Sequence, residues 1–174
     1  LILQDETTNI TTKRKGEFIM SKVVEFLQAN PVQYLATVGR DNKAKVRPFM
    51  FLFEQEGKLW FCTNNTKDVY KDMQANPEVE VCVSDPTYAW IRIHGTAVFE
   101  DNMAVKEGAM NNPIVKGQYE TADNPIFEVF YIKSTEKLLY IWRITNERRN
   151  MFKKITICGS PGFCHSGFPG QSSD

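Results

Sequence analysis

The stretch AKVRPFMFLFEQEGKLWFCTNNTKDVYKDMQANPEVEVCV, residues 44–83, decides the fold that we predict for this sequence. Residues 44–53 are rich in apolar and aromatic side chains and predict a strand. Residues 54–58 (EQEGK) predict a tight hairpin turn around Gly57, because glycine accepts the positive φ that such turns require. Residues 59–63 (LWFCT) predict the strand that leaves this turn.

A short helix and a further strand complete the stretch. Residues 66–76 carry three apolar side chains at helical spacing, which predicts a helix with one buried side. Asn76-Pro77 ends this helix, because a residue before proline is disfavoured in the helical conformation. Residues 79–84 (VEVCVS) alternate apolar and polar side chains and predict a strand. Short turns between successive strands predict antiparallel pairing.

The rest of the chain adds strands and short helices on either side. Gly95 lies inside a long predicted strand, where it suggests a bulge or a barrel bend. Residues 111–125 are predicted to be largely loop. The other predicted elements are helices over 20–29 and 102–110 and strands over 32–39, 88–100, 126–133 and 137–144. Such a set of six or seven strands with three short helices is too small for a two-faced sandwich and predicts a closed or split β-barrel.

Composition and charge narrow the classes of function. The chain has 174 residues and is 42% hydrophobic, which fits one compact domain with a core. Lysine plus arginine and aspartate plus glutamate are equal at 21 each, which disfavours a general nucleic-acid or membrane-surface binder. No apolar run reaches the ~18–20 residues of a membrane-spanning helix. The polar N-terminus lacks the apolar core of a signal peptide, so we expect a cytoplasmic protein.

We predict one domain over residues 20–144, between two flexible segments. Residues 1–19 are polar and rich in threonine, which predicts a flexible N-terminal extension. Residues 145–174 end in a segment rich in glycine, serine and proline, which predicts a flexible tail.

The cysteines divide into two groups. Cys62 and Cys82 lie inside apolar strand patterns, where burial as small apolar side chains is expected. Cys158, Cys164 and His165 lie in the polar tail and invite a metal site, but no paired C-x-x-C accompanies them. We favour unconnected tail residues and predict no metal.

Four polar residues around the predicted strand–helix junction form a candidate anion site. A phosphate prefers a planar fork donor, a point cation and hydroxyl or amide donors that converge on it. Arg47 supplies the fork, Thr63 a hydroxyl, and Lys67 an ammonium in the first turn of the helix. Asn64 adds a donor in the turn, and the predicted hairpin brings Arg47 close to Thr63. The alternative is an ordinary capping turn with solvated surface cations.

The chain resembles the FMN-binding split-barrel superfamily related to pyridoxamine 5'-phosphate oxidase, and it looks most like the short bacterial members. The resemblance implies a mainly β fold with short α-helices, a six-stranded antiparallel split β-barrel. It also implies flavin mononucleotide (FMN) as cofactor and a homodimer with two FMN molecules at the subunit interface. The segments that carry the resemblance are QYLATVGRDNKAKVRPFMF, LWFCTNNTKDVYKDMQANPEVEVCV, WIRIHGTAVFE and FEVFYIKSTEKLLYIW.

The resemblance also assigns site residues by position. Arg47 and Lys67 would bind the FMN phosphate, with help from Thr63 and the Asn64 turn. The backbone of residues 47–50 would line the edge of the isoalloxazine ring. Trp142 would approach the ring from the partner subunit or, equally, serve as a barrel-closing aromatic. The residues of the 47–50 segment are Arg47, Pro48, Phe49 and Met50.

Two departures from the oxidases concern the substrate. Those enzymes have a lysine five residues after the arginine, where this chain has Leu52. They also have an Arg-x-His element near the C-terminus, where this chain has Trp142-Arg143-Ile144-Thr145. The resemblance therefore implies FMN binding more strongly than pyridoxamine phosphate as substrate.

Three functions remain open from the sequence. The first is an FMN-dependent oxidoreductase acting on a small molecule. The second is a flavin (or haem or deazaflavin) binding module without efficient turnover, and the third is a barrel without a ligand. Trp90, Arg92 and His94 share one face of a predicted strand and would contact a substrate if that face opens on the flavin. We favour an ordinary polar surface for them.

Overall fold

The structure is a computed structural model that describes residues 20–133 in full and the backbone of residues 137–142 and 153–157. This part of the chain forms one nine-stranded antiparallel sheet with four short helices. The helices are α1 (20–29), α2 (Asp68–Ala75), α3 (Met103–Ala109) and α4 (Pro113–Tyr119). The strands are β1 (Gln33–Val38), β2 (Ala44–Phe49), β3 (Phe51–Gln55), β4 (Lys58–Asn64), β5 (Glu78–Ser84), β6 (Trp90–Phe99), β7 (Phe127–Lys133), β8 (Lys137–Trp142) and β9 (Lys153–Ile157). No helix of the described ranges is long and apolar enough to cross a membrane.

The strand order makes the sheet an open, barrel-like structure. The order is β2-β1-β5-β6-β7-β4-β3, and β8 pairs with both β6 and β9. The two ends of this order, β2 and β3, are consecutive in the chain and are separated only by Met50. The sheet therefore curls until its ends meet at one residue. The predicted antiparallel split barrel with short helices is confirmed.

The number of strands exceeds the prediction for two reasons. The strand predicted over residues 44–53 is divided at Met50 into β2 and β3, which pair with different neighbours. A further strand, β9, lies within residues 145–174, the segment predicted to be a flexible tail. The structure also has one helix more than predicted, because α4 occupies part of the predicted loop at 111–125.

The buried side chain of Gln33 fixes the division between β2 and β3. Gln33 is fully buried, and its Nε2 donates hydrogen bonds to the carbonyl oxygens of Leu27 (3.0 Å) and Asn30 (2.7 Å) at the end of α1. Its Oε1 accepts a hydrogen bond from the backbone N–H of Phe51, the first residue of β3. The amide of Gln33 thus pairs with two carbonyl oxygens at the end of α1. It also pairs with one N–H group at the break between β2 and β3.

The hairpin between β3 and β4 forms at the predicted position. Only Glu56 and Gly57 separate the two strands, and both have positive φ, at 57° and 72°. Positive φ at both central residues is the requirement of a type I′ turn, whose twist matches that of the strands. The turn chemistry at Gly57 was therefore visible in the sequence.

Strand β6 is the point at which the barrel splits. Its first half, from Trp90 to Ile93, pairs with β8, and its second half, from Thr96 to Phe99, pairs with β7. Gly95 lies between these halves, where a Cβ atom would lie 2.6 Å from the carbonyl oxygen of Lys133. The sequence predicts a bulge or a bend at this glycine. The structure instead shows that β7 approaches β6 too closely there for a side chain.

Two hydrophobic clusters cover the two faces of the sheet. The first lies inside the barrel under α1 and α2, and the second lies outside it, between the sheet and helices α3 and α4. Strand β4 contributes alternate residues to both clusters, because successive side chains point to opposite faces. Its inward residues are Leu59, Phe61 and Thr63, and its outward residues are Trp60 and Cys62.

We expect Gly95→Ala to destabilise the protein by about 1–3 kcal/mol, because the new methyl group overlaps backbone atoms of a neighbouring strand that cannot move freely. Urea denaturation followed by circular dichroism measures the change. Gly117→Ala in α4 is the matched control, because a Cβ atom there meets nothing within 4 Å. This control should be neutral or stabilising by up to about 1 kcal/mol. Equal effects of the two substitutions would contradict the close approach at β6.

Candidate functional site

The polar residues singled out from the sequence gather around the start of α2. Residues 64–66 form the turn from β4 into the helix, and Asn64 Oδ1 accepts hydrogen bonds from Thr66 N (2.7 Å) and Thr66 Oγ1 (2.6 Å). Lys67 is the N-cap residue, with extended backbone (φ −73°, ψ 148°), and its side chain makes no capping hydrogen bond. The helix therefore begins with backbone N–H groups that have no side-chain cap, an arrangement that attracts anions.

Thr63 lies directly before this turn and is buried, with 2% of its surface exposed. It points to the inside of the barrel, and its Oγ1 has no hydrogen-bond partner among the residues that the structure describes. A buried hydroxyl without a partner costs about 1–3 kcal/mol. The Thr63 hydroxyl is thus a donor whose hydrogen-bonding capacity is unused within the described fold.

Lys67 contributes a positive charge at the same junction. Its side chain is exposed, and within the described ranges it forms no ion pair. Burial raises the pKa of the neighbouring Cys62 thiol to about 12, and the Lys67 ammonium opposes this rise only weakly. Cys62 is therefore a protonated thiol at neutral pH, as expected for a residue that packs as a small apolar side chain.

Arg47 lies on β2 and points to the inside of the barrel, beside α2. Its Nη1 donates to Thr37 Oγ1 (2.8 Å), and its Nη2 contacts Asp72 Oδ2 (3.3 Å). The predicted hairpin pairing does not extend as far as Arg47 and Thr63, because the β3–β4 ladder ends at the pair Phe51 and Phe61. Strand β2 continues along β1 instead. What links the two residues is α2, which follows Thr63 in the chain and carries the aspartate that contacts Arg47.

Asp72 joins a second arginine to this helix. The Asp72 side chain is 5% exposed, and its Oδ1 accepts hydrogen bonds from Arg40 N (3.2 Å) and Arg40 Nε (3.1 Å). The other end of the Arg40 guanidinium contacts Asp68 Oδ1 at 2.7 Å. Burial alone would raise the pKa of Asp72, but the hydrogen bonds from Arg40 and the charges of Arg40 and Arg47 together hold this pKa below its usual value. Asp72 is therefore ionised at neutral pH.

Sequence reasoning missed Arg40 and Asp72. A signal for Asp72 existed, because it lies three residues after Val69 and one before Met73, on the apolar side of the predicted helix. A carboxylate on that side must find buried donors. Nothing in the sequence pointed to Arg40, which lies in the turn after β1.

The segment 47–50 passes from the inside to the outside of the barrel wall. Pro48 is exposed on the outer face of β2, a strand that pairs on one side only among the described strands, where a missing N–H is tolerated. Phe49 points inward and packs on Phe130, with ring centroids 5.8 Å apart. Met50, at the strand break, packs against the outer cluster.

Trp142 lies on β8, which is distant from β2 in the sheet. On the backbone it is paired with Trp90 of β6, and three strands (β1, β5 and β6) separate β8 from β2 in that direction. Within one subunit, the structure therefore does not bring Trp142 beside residues 47–50.

The polar face of β6 has the predicted alternation. Trp90, Arg92 and His94 all lie on the outward face, where Arg92 and His94 each face a carboxylate of β5. Arg92 pairs with Glu80 (3.0 Å), and His94 approaches Glu78 (3.5 Å). Within one subunit these residues belong to the outer surface and not to the α2 junction.

No group of three or more His, Cys, Asp or Glu residues that could hold a metal ion occurs in the part of the chain that the structure describes. Cys158, Cys164 and His165 lie outside the described residues.

The described part of the chain is thus an antiparallel split barrel with a lysine and uncapped N–H groups at the start of α2. The family model described as pyridoxamine 5'-phosphate oxidase matches residues 19–147. The chain belongs to this pyridoxamine 5'-phosphate oxidase family. No curated protein matches the chain.

Solved structures share this fold. The chain is 34% identical to a NimC/NimA family protein from Clostridium acetobutylicum, over 79% of this chain and 91% of that one, with a TM-score of 0.67. A second protein from that organism, related to general stress protein 26 and described as of the pyridoxinephosphate oxidase family, shares the fold at 16% identity (TM-score 0.63, 81% and 96% covered). A heme binding protein from Mycobacterium smegmatis shares it at 13% identity (TM-score 0.60, 76% and 55% covered).

We expect Asp72→Asn to lower the free energy of unfolding at pH 7 by about 1.5–3 kcal/mol, because it removes charge-assisted hydrogen bonds from a buried position. The pKa of Asp72 is lowered by folding, so this stabilisation is complete above the unfolded-state pKa of about 3.9. It is lost as the pH falls through the lower folded-state pKa. Urea denaturation at pH 7 and at pH 3 should show the gap between wild type and variant closing in acid.

Asp123→Asn is the matched control, since it removes the same charge from an exposed loop position. It should leave the unfolding free energy within about 0.5 kcal/mol of wild type at both pH values. The difference in unfolding free energy between wild type and Asp72→Asn could instead stay constant or widen in acid. That result would show that Asp72 does not stabilise the fold as a carboxylate.

Proposed function

We propose that this chain binds FMN and acts as an FMN-dependent oxidoreductase on a small molecule. The observation that carries the proposal is the buried Thr63 hydroxyl without a partner, next to the uncapped start of α2 and to Lys67. A dianionic phosphate supplies what these groups lack, namely an acceptor for the hydroxyl, a counter-charge for the ammonium and a cap for the helix. Membership of the pyridoxamine 5'-phosphate oxidase family supports the choice of a flavin phosphate.

The donor set fits a phosphate group. Thr63 would donate its hydroxyl, the first turn of α2 its backbone N–H groups, and Lys67 its ammonium. Arg47 uses two of its five N–H groups within the described fold, so three remain for an anion. Asn64 Oδ1 is occupied by Thr66, so Asn64 would act by shaping the turn or through its amide NH₂.

The ring would lie along residues 47–50. At Met50 the chain leaves one ladder and enters another, so its backbone groups there are not committed to a continuous strand pairing. When bound, the isoalloxazine ring supplies the hydride and electron transfer, while the protein binds and orients it and excludes water. Trp142 would reach this ring only from a partner subunit.

The substrate is not proposed to be pyridoxamine phosphate. Leu52 takes the position of the oxidases' lysine, and it packs against the outer hydrophobic cluster under α3 and α4. An apolar contact thus replaces a cation that a second phosphate would need. We infer a substrate other than a phosphorylated B6 vitamer, such as a nitro compound or a reduced nicotinamide donor.

A homodimer with two FMN molecules at its interface forms part of the proposal. The outer face of β1 and β2 exposes large apolar side chains, among them Tyr34 (51%) and Val46 (65%). Tyr34 lies opposite Pro48, and Ala36 lies opposite Val46, so these residues share one face. A second subunit would cover this apolar face and bring its own Trp142 and β6 face towards residues 47–50.

A second candidate is a flavin, haem or deazaflavin binding module without efficient turnover. The observation that favours it is that neither a thiolate nor an imidazole of the described ranges lies at the α2 junction, since Cys62 is held protonated and His94 lies on the outer surface. The two candidates differ in turnover. Bleaching of bound flavin by reduced nicotinamide without air, followed by reoxidation with a substrate panel, would support the enzyme.

We expect purified protein to retain about one FMN per subunit after desalting, measured by visible absorption. Thr63→Val should weaken FMN binding roughly tenfold, because a charge-assisted hydrogen bond of this kind contributes about 1.4 kcal/mol or more. The same variant should keep or raise the melting temperature of the FMN-free protein, because it removes a buried hydroxyl without a partner. A variant that binds FMN more weakly but melts at a higher temperature would show that Thr63 contacts the ligand and does not stabilise the fold.

Lys67→Gln tests the charge at the same site, with Lys71→Gln as matched control on the exposed side of α2. We expect Lys67→Gln to weaken FMN binding about fivefold, because an exposed ion pair between the ammonium and the phosphate contributes up to about 1 kcal/mol. Lys71→Gln should change it less than twofold. Full FMN retention by the Thr63 and Lys67 variants, or none by wild type, would refute the proposed site.

We expect Val46→Lys to convert the proposed dimer to monomer at micromolar concentration, because it places two like charges in an apolar interface. Ile114→Lys is the control, since Ile114 is equally exposed (68% against 65%) but lies on α4 and not on the β1–β2 face. Light scattering coupled to size-exclusion chromatography gives the mass. A dimer that persists in Val46→Lys would exclude the β1–β2 face as the interface.

A further inference from the structure

The Arg47 guanidinium is held by two buried side chains that belong to different elements. Thr37 lies on β1, is 4% exposed, and accepts from Nη1 at 2.8 Å. Asp72 lies on α2, is 4% exposed, and contacts Nη2 at 3.3 Å. Strand β1 also pairs with β2, so Arg47 is fixed at its backbone and at its tip.

Both partners of Arg47 are themselves fixed. Thr37 is opposite Lys45 in the β1–β2 ladder. Asp72 is held from its other oxygen by the backbone N–H and the Nε of Arg40. The guanidinium is therefore oriented before any ligand arrives, with three N–H groups left for one. Pre-orientation removes part of the entropy that a long side chain loses on binding.

We propose that Thr37 and Asp72 are positioning residues of the phosphate site, which hold the Arg47 guanidinium so that its remaining N–H groups meet a phosphate monoester. This inference rests on the proposed FMN function and deepens it. It assigns roles to two residues that need not touch the ligand, and it makes recognition of the phosphate depend on contacts between β1, β2 and α2.

The carboxylate of Asp72 has a competing effect. A negative charge near the site repels a phosphate, so its removal could tighten binding. Arg40 offsets the charge of Asp72 through its two hydrogen bonds to Oδ1, which leaves the orientation of Arg47 as the larger effect. Thr37 carries no charge and reports orientation alone. The two substitutions together therefore separate orientation from charge.

The experiment compares the dissociation constants of FMN and riboflavin, which share a ring and differ in the phosphate. Thr37→Val and Asp72→Asn should each lower the preference for FMN over riboflavin three- to tenfold, while riboflavin affinity changes less than twofold. In an Arg47→Gln background, Thr37→Val should change the preference less than 1.5-fold, because no guanidinium is left to orient. Thr96→Val is the control, since this β6 hydroxyl bonds Glu78 (3.1 Å) on the outer face.

The possible outcomes are distinct. An unchanged FMN preference in Thr37→Val, or an equal loss with and without Arg47, would overturn the positioning role while FMN binding itself stands. Tighter FMN binding in Asp72→Asn with no effect of Thr37→Val would make Asp72 a competitor of the phosphate. If Asp72→Asn does not fold, Thr37→Val still decides. No FMN retention by wild type would overturn the proposed function as well.

Discussion

The buried amide of Gln33 joins three parts of the chain on which the barrel depends. It caps the end of α1, it lies in the last pair of the β1–β2 ladder, and it accepts the N–H of Phe51 where β3 begins. Without it, the change of partner at Met50 would leave backbone groups buried and unpaired, at a cost comparable to lost hydrogen bonds. One side chain therefore links the end of α1 to the point where β2 ends and β3 begins.

A second constraint acts at the other end of β1. Asp72 attaches α2 to the turn after β1 through Arg40 and to β2 through Arg47. Because α2 begins immediately after the Thr63 junction, the same contacts fix the direction in which its N-terminus points. The orientation of the strand–helix junction at the candidate site therefore depends on this charge cluster as well as on the junction's own residues, since Asn65 Nδ2 donates hydrogen bonds to Pro125 O (2.8 Å) and Glu128 Oε1 (3.1 Å).

The sequence predicted the elements whose causes are local. The hairpin at Gly57 and the end of α2 at Asn76-Pro77 follow from neighbouring residues, so they were found at the expected places. The division at Met50 was missed because it depends on Gln33, which is distant in the sequence. Helix α4 was missed although Asn112 caps it and Pro113 opens it, a local signal that could have been recognised.

The candidate site was predicted in the same uneven way. Thr63 and Lys67 lie within five residues of each other, and their spacing alone places both at the start of a helix. Arg47 reaches that helix only through Asp72, 25 residues further along the chain. The sequence did not reveal that β2 leaves the hairpin at Met50 and pairs with β1, because such pairing is set by long-range contacts.

Strand β4 is packed on both faces, inside the barrel and under the outer helices, whereas β2 has an exposed outer face and one paired edge among the described strands. The free energy of local opening should therefore differ from strand to strand, since amide hydrogens exchange most slowly where both faces are buried. The central amides of β4 and β7 would exchange only on global unfolding, and those of β2 at far lower cost.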